Sequence, residues 1–160
     1  MEQHRAARRG RLSPRTLIVI GFLAGLGLLI AISVWRSPTI TSANPANARA
    51  VALGREVYVA RCASCHGASL AGAANWQAPL ADGTMPAPPH DPSGHTWHHN
   101  DESLFTTVKY GGQATSPPGY VNKMPAFGAQ LRDEEIYAVL AYIKSTWPPE
   151  VLAAQQQGHE

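Results

Sequence analysis

A five-residue motif, CASCH at positions 62–66, constrains this chain more than any other feature of its sequence. The spacing places two thiols on one helical turn with an imidazole beside them. In such a motif the thiols add to the vinyl groups of a haem, and the adjacent imidazole becomes an axial ligand of its iron. We therefore predict that Cys62 and Cys65 hold one covalent haem c, that His66 ligates the iron, and that the fold forms around this flat group.

Three other roles for the motif fit the sequence less well. A structural zinc site needs two more ligands, and the chain has no second pair of cysteines. A redox-active CxxC pair normally lies in a thioredoxin-like βαβ unit, which the flanking sequence lacks. A simple disulfide would leave His66 without a role.

The length and composition predict a small, loop-rich domain. A chain of 160 residues has room for one domain and an appendage. With 14 glycines and 13 prolines, much of that domain should be turn and loop. No segment alternates as a strand does, so we expect an all-α fold with a loop-rich haem pocket.

An uncharged stretch of twenty residues, 16–35, is long enough to cross the roughly 30 Å of hydrocarbon in a membrane. Five arginines precede it and one follows, which predicts a cytoplasmic N-terminus and an extracytoplasmic, periplasmic domain. A cleaved signal peptide ending near Thr41-Ser42-Ala43 is the alternative. Either interpretation exports the domain. The flanking arginines are Arg5, Arg8, Arg9, Arg11, Arg15 and Arg36.

These features divide the chain into five parts. We expect a basic cytoplasmic N-terminus at 1–15, a transmembrane anchor at 16–35, a flexible linker at 36–49, the haem domain at 50–148 and a C-terminal tail at 149–160. Residues 37–160 contain 7 basic and 10 acidic side chains, a net charge of −3. This mildly acidic balance argues against nucleic acid as a partner.

The sixth iron ligand should come from the second half of the domain. Met124 lies 58 residues after His66, in a loop before the last helix, and that loop is expected to cover the opposite face of the haem. We favour Met124; Met85, a histidine or an open position are the alternatives. A lone methionine can also simply fill a gap in the core. The other ring nitrogen of His66 needs a fixed partner, and the carbonyl of Pro86, Pro88 or Pro89 would serve; we favour Pro88.

Three helices are predicted around the haem. The first spans 50–61, the second begins near Asp101 and ends at Gly111-Gly112, and the last runs to Trp147 with Asp133 as its N-cap. Gly54 has no side chain, which allows the last helix to cross the first closely. Tyr58 and Tyr142 are then expected to pack at the crossing.

Together these segments resemble the class I c-type cytochrome family over residues 50–148. The resemblance rests on Gly54-x-x-x-Tyr58, CASCHG at 62–67, MPAFG at 124–128 and EEIYAVLAYIKSTWP at 134–148. It implies crossed terminal helices, a mostly apolar haem pocket with one exposed edge, and ligation by His66 and Met124. The segment 73–100 is longer than the matching loop of the smallest members.

That long segment contains four closely spaced histidines, His90, His95, His98 and His99, beside a tryptophan. Such spacing is compatible with a copper or zinc site. The more ordinary interpretation is that these rings bond to the backbone or the haem propionates and seal the pocket.

The function predicted from these features is single-electron transfer in a respiratory chain, without catalysis by the chain itself. Redox proteins at the membrane are the expected partners. A shuttle is favoured, and a fixed cytochrome subunit of an oxidase, reductase or dehydrogenase complex is the main alternative. A haem enzyme or sensor with an open iron position, and a copper-binding protein, are weaker alternatives.

Overall fold

The computed structural model describes residues 13–35 and 38–157 and consists of two units, Met1–Pro38 and Thr39–Glu160. Most of the predicted basic flank and Arg36 lie outside the described residues, as do the last three positions. Within the described ranges the fold is all-helical, as expected, with one isolated bridge between Thr84 and Val121. The helices are α1 (Pro14–Trp35), α2 (Ala48–Arg61), α3 (Ala63–His66), α4 (Asp101–Tyr110), α5 (Asp133–Ser145) and α6 (Pro149–Gln157).

The first unit contains α1, which covers the predicted anchor. Its N-terminus is capped by Ser13, whose hydroxyl accepts the Thr16 backbone N–H at 3.2 Å. In residues 13–35 and 38–157, none of the helices meets the combined length and apolarity required of a membrane span. The anchor at 16–35 is therefore not confirmed by the structure.

The second unit is organised by the crossing of α2 and α5. At Gly54 the two backbones are so close that a Cβ atom would overlap the carbonyl group of Ala138. The rings of Tyr58 and Tyr142 pack beside this point, with centroids 5.4 Å apart. Both the close crossing and its tyrosine pair confirm the sequence prediction.

The core of the second unit lies mainly on the inner face of α5. This helix contributes Ile136, Val139, Leu140 and Ile143, each less than 5% exposed, and Trp147 closes the core beyond its end. Helix α2 begins at Ala48, two residues before the predicted start, because the Asn47 side chain accepts two backbone N–H groups of the first turn.

The predicted N-cap of the last helix is wrong by one residue. Arg132 is the N-cap of α5, and the Glu135 carboxylate accepts its backbone N–H at 2.9 Å. Asp133 is already helical and instead accepts a bond from Lys109 at 2.8 Å. The acidic first turn still complements the helix dipole.

The middle helix matches its prediction. Asn100 caps α4 by accepting the Ser103 N–H at 2.8 Å, and the helix ends at Gly111, whose φ of +91° suits glycine. This places Leu104 and Val108 on the inner side of the unit.

Helix α6 occupies most of the segment predicted as a C-terminal tail. Helix α5 ends at Ser145 with Thr146 as its C-cap, two residues before the predicted end at Trp147. Proline is well suited to a first helical turn, and α6 begins at Pro149. Two bonds dock this region on the histidine-rich loop. Trp147 Nε1 donates to the His90 carbonyl at 2.7 Å, and Gln155 Nε2 donates to the His99 carbonyl at 3.0 Å.

Candidate haem site

The cysteine–histidine motif forms a short helix, α3, directly after α2. The turn closes at Gly67, which has a φ of +77° and accepts a hydrogen bond from the Tyr58 hydroxyl at 2.8 Å. Cys65 is exposed, Cys62 is half-buried and His66 is buried. Burial, aided by the charge of Cys65, raises the pKa of the Cys62 thiol to about 11. The motif is therefore anchored to the helix crossing through Tyr58.

His66 is held in one orientation by the proline-rich loop. Its Nδ1 atom lies 2.9 Å from the Pro88 carbonyl oxygen, the partner favoured from the sequence. Since a carbonyl only accepts, Nδ1 bears the proton and Nε2 keeps its lone pair. Burial lowers the pKa of His66, an effect that the Pro88 bond opposes. A neutral imidazole with a free Nε2 is the form that binds iron.

A cavity of about 1020 Å³ adjoins the motif, at the upper end of the size range of ligand pockets. Cys62, Cys65 and His66 line one part of it, and Met124 also lines it. Apolar side chains of α4 and α5 form much of the wall, namely Leu104, Val108, Val139, Leu140 and Ile143. Two thiols, an imidazole and a thioether around an apolar cavity of this size fit a haem c.

The structure brings the two methionine loops together, which was not predicted. The Met85 backbone N–H donates to the Val121 carbonyl at 3.0 Å, which places the Met85 segment beside the loop of Met124. Both methionines line the cavity. The Met124 loop is fixed by two further bonds, from its own N–H to Asn122 Oδ1 at 2.9 Å and from the Gly112 N–H to its carbonyl at 3.1 Å.

The histidines of the 90–99 loop are occupied by ring stacking. His95 stacks on Trp76 with centroids 5.4 Å apart, and His98 stacks on Trp97 at 3.7 Å. In residues 13–35 and 38–157, no three His, Cys, Asp or Glu side chains converge as a metal site would require. The copper or zinc alternative thus gains no support from the structure.

His90 makes a contact with His66 that the sequence did not indicate. Its ring lies face to face with that of His66, with centroids 4.0 Å apart and 21° between the planes. Burial, together with the charges of His66 and His95, lowers the pKa of His90 well below the ordinary value. From the sequence, His90 was expected to bond to the backbone or the haem propionates, or to share a metal site, but its position two residues after Pro88 was not connected with the His66 ring.

A buried imidazole bonded to a proline carbonyl, two cysteines on the same turn and an apolar cavity define a c-type cytochrome domain. The family model described as cytochrome c oxidase, cbb3-type, subunit III matches residues 49–143, and the chain belongs to this family. Its cofactor is covalently bound haem c, and the domain is an electron carrier. A search of curated proteins and a search of solved structures each found no match.

Proposed function

We propose that this chain passes single electrons between protein partners through one haem c whose iron is ligated by His66 and Met124. The observation that supports this proposal best is the pairing of His66 Nδ1 with the Pro88 carbonyl at 2.9 Å. It orients the imidazole and leaves Nε2 for iron, on the cavity that Met124 also lines.

Each part of the site has a distinct task in this function. The bound haem supplies a one-electron ferric/ferrous couple. Cys62 and Cys65, which both line the cavity, would hold it covalently and so keep it in place for electron exchange with a partner protein. The apolar walls from α4 and α5 exclude water, which disfavours the extra charge of the ferric state.

A thioether ligand, like the apolar walls, favours the ferrous state: it stabilises ferrous over ferric iron and so raises the reduction potential. The Met124 loop is well suited to deliver one. Bonds to Asn122 and from Gly112 fix its backbone on both sides of the side chain. His66 and Met124 together would leave no iron position for a substrate, as an electron carrier requires.

The two methionines that line the cavity provide a matched test of the ligand. In the full chain with its haem, Met124→Ala should abolish the far-red absorption band that marks thioether bonding to ferric iron, and it should lower the reduction potential. Met85→Ala should retain the band. If the band survives in Met124→Ala, or if the wild type binds carbon monoxide and cyanide as readily as an open haem does, the ligation is wrong.

A fixed subunit of an oxidase is the second candidate, and the description of the matching family favours it. The two candidates differ in how tightly the domain is held. In mild detergent, a subunit should co-purify with an oxidase in a constant ratio and at raised salt. A shuttle should elute alone and reduce its partner with second-order kinetics.

We further propose that residues 16–35 anchor the chain in a membrane, with the haem domain on the extracytoplasmic side. The support is the uncharged sequence of this stretch and the excess of arginines before it. The full chain should stay in the membrane fraction after alkaline carbonate washing. A form in which a cleavable signal peptide replaces residues 1–38 should be released as a soluble haem protein. Release of the full chain by carbonate would rule out the anchor.

A further inference from the structure

The proline-rich loop contacts the His66 ring at a second point besides the Pro88 carbonyl. Two residues further along, the His90 ring covers one face of the His66 imidazole at a centroid distance of 4.0 Å. A single hydrogen bond at Nδ1 fixes one edge of a ring but still permits its plane to tilt. A flat neighbour stacked on the face opposes this tilt, because the offset contact between the rings would be lost.

His90 is itself firmly positioned. Its Nδ1 lies 2.9 Å from the Thr96 hydroxyl, and that hydroxyl donates to the Pro89 carbonyl at 3.2 Å. Since the single hydroxyl proton is directed to Pro89, the Nδ1 of His90 is the donor in its bond to Thr96. The ring is therefore held at one edge by a group that is almost fully buried.

The backbone of His90 is equally constrained. Its N–H donates to the Leu70 carbonyl at 2.7 Å, and its carbonyl accepts the indole N–H of Trp147 at 2.7 Å. The ring of Tyr58 meets the His90 ring edge-on with centroids 6.3 Å apart. His90 thus joins the helix crossing, the end of α5 and the His66 ring in one contact network.

From this geometry we propose that His90 is a positioning residue that sets the plane of the axial imidazole relative to the haem. It acts through His66 and does not touch the iron. The proposal rests on the proposed function only in taking His66 as an axial ligand. The orientation of an axial imidazole matters because it determines which iron d orbital holds the unpaired electron of low-spin ferric haem.

This electronic effect gives a readout other than electron-transfer activity. In the ferric protein, the paramagnetic proton shifts of the haem methyl groups depend on the imidazole plane. We would record them for the full-length haem protein and for His90→Leu, His90→Phe and Thr96→Val. His98→Leu is the matched control, because His98 stacks on Trp97 and not on His66.

We expect His90→Leu to change the spread or order of the methyl shifts while the thioether band persists. His90→Phe should lie closer to the wild type, since it restores a flat ring. Thr96→Val should alter the pattern in the same direction as His90→Leu but less, and it provides the test if His90→Leu does not fold. His98→Leu should match the wild type.

The proposal is overturned if His90→Leu and Thr96→Val both show the wild-type methyl pattern, or if His90→Phe departs from it as far as His90→Leu. Failure of the proposed function has a different signature. If the wild type lacks the thioether band, the Met124 assignment is wrong; the methyl shifts are then recorded on the low-spin cyanide adduct of each variant, where they still report the orientation of the His66 ring.

Discussion

The buried ammonium group of Lys144, in α5, donates to both carboxylate oxygens of Asp101, the first residue of α4, at 2.7 and 2.9 Å. The Lys144 side chain is 8% exposed and that of Asp101 is 41% exposed. The same carboxylate also accepts Gln155 Nε2 at 3.2 Å. The Asp101 carboxylate therefore links α4, α5 and α6. This contact lies next to the histidine-rich loop, because Gln155 also donates to the His99 carbonyl.

We expect the two partners of this ion pair to respond differently to substitution. Asp101→Asn leaves a buried ammonium without its counter-charge and should lower the free energy of unfolding by about 1–3 kcal/mol. Lys144→Met removes the charge together with its desolvation cost and should change it by less than about 1 kcal/mol. Guanidinium unfolding of the haem protein, followed by circular dichroism, measures both. Equal losses in the two variants would contradict this account.

The bond between the Tyr58 hydroxyl and the Gly67 carbonyl should stabilise the haem-binding turn. Tyr58→Phe keeps the ring at the helix crossing but leaves the carbonyl without this donor, so we expect a loss of about 0.5–1.5 kcal/mol in unfolding free energy. Tyr142→Phe is the matched control, because Tyr142 packs at the same crossing and takes no part in this bond. If thermal unfolding shows the two variants to be equally stable, the Tyr58 bond contributes nothing.

The closeness of the helix crossing predicts that Gly54→Ala is destabilising. Alanine gains up to about 1 kcal/mol in helix propensity, but its methyl group would collide with the rigid backbone of α5 at Ala138. Overpacking of this kind costs about 1–3 kcal/mol, so a net loss is expected in denaturant unfolding. Val59→Ala, at an exposed position of the same helix, should stay within about 0.5 kcal/mol of the wild type. A Gly54→Ala variant more stable than the wild type would show that the helices are not in contact here.

The stability of the domain should decrease in mild acid partly because of His95. Burial, together with the charges of His99 and His98, lowers the pKa of His95 in the folded state below its ordinary value of 6.5. Below that pH the unfolded chain binds more protons than the folded one, so stability falls as pH is lowered. His95→Gln should reduce this fall, measured as denaturant midpoints between pH 8 and about pH 5. At pH 8 the His95 ring is neutral in both the folded and the unfolded state, so the denaturant midpoint at pH 8 serves as the internal reference. An unchanged slope in His95→Gln would exclude its contribution.

Features of the fold and site that depend on residues close together in the sequence could mostly be predicted, and features that depend on distant residues mostly could not. The helical turn at 62–66, the end of α4 at Gly111 and the close crossing at Gly54 follow from short-range spacing and from residues with special backbone properties, and the structure confirms these backbone features. The N-cap of α5 was misplaced by one residue because Arg132 is not a typical capping residue and the capping role passes to Glu135. Helix α6 was missed because the proline pair after α5 was interpreted only as a helix stop, although proline also suits the start of another helix.

The motif on one helical turn, by itself, determined that this chain binds haem c covalently, because two thiols and an imidazole at that spacing suit few other groups. Apart from the Pro88 carbonyl, the sequence could not determine what surrounds the imidazole. The path of the 67–100 loop decides that His90 covers the His66 ring and that the Met85 segment lies beside the Met124 loop. These contacts join residues far apart in the chain, and they depend on bonds to Leu70, Trp147 and Val121 that no local pattern specifies. Only the tertiary structure could decide them, since the free energy of such contacts depends on the whole packed arrangement.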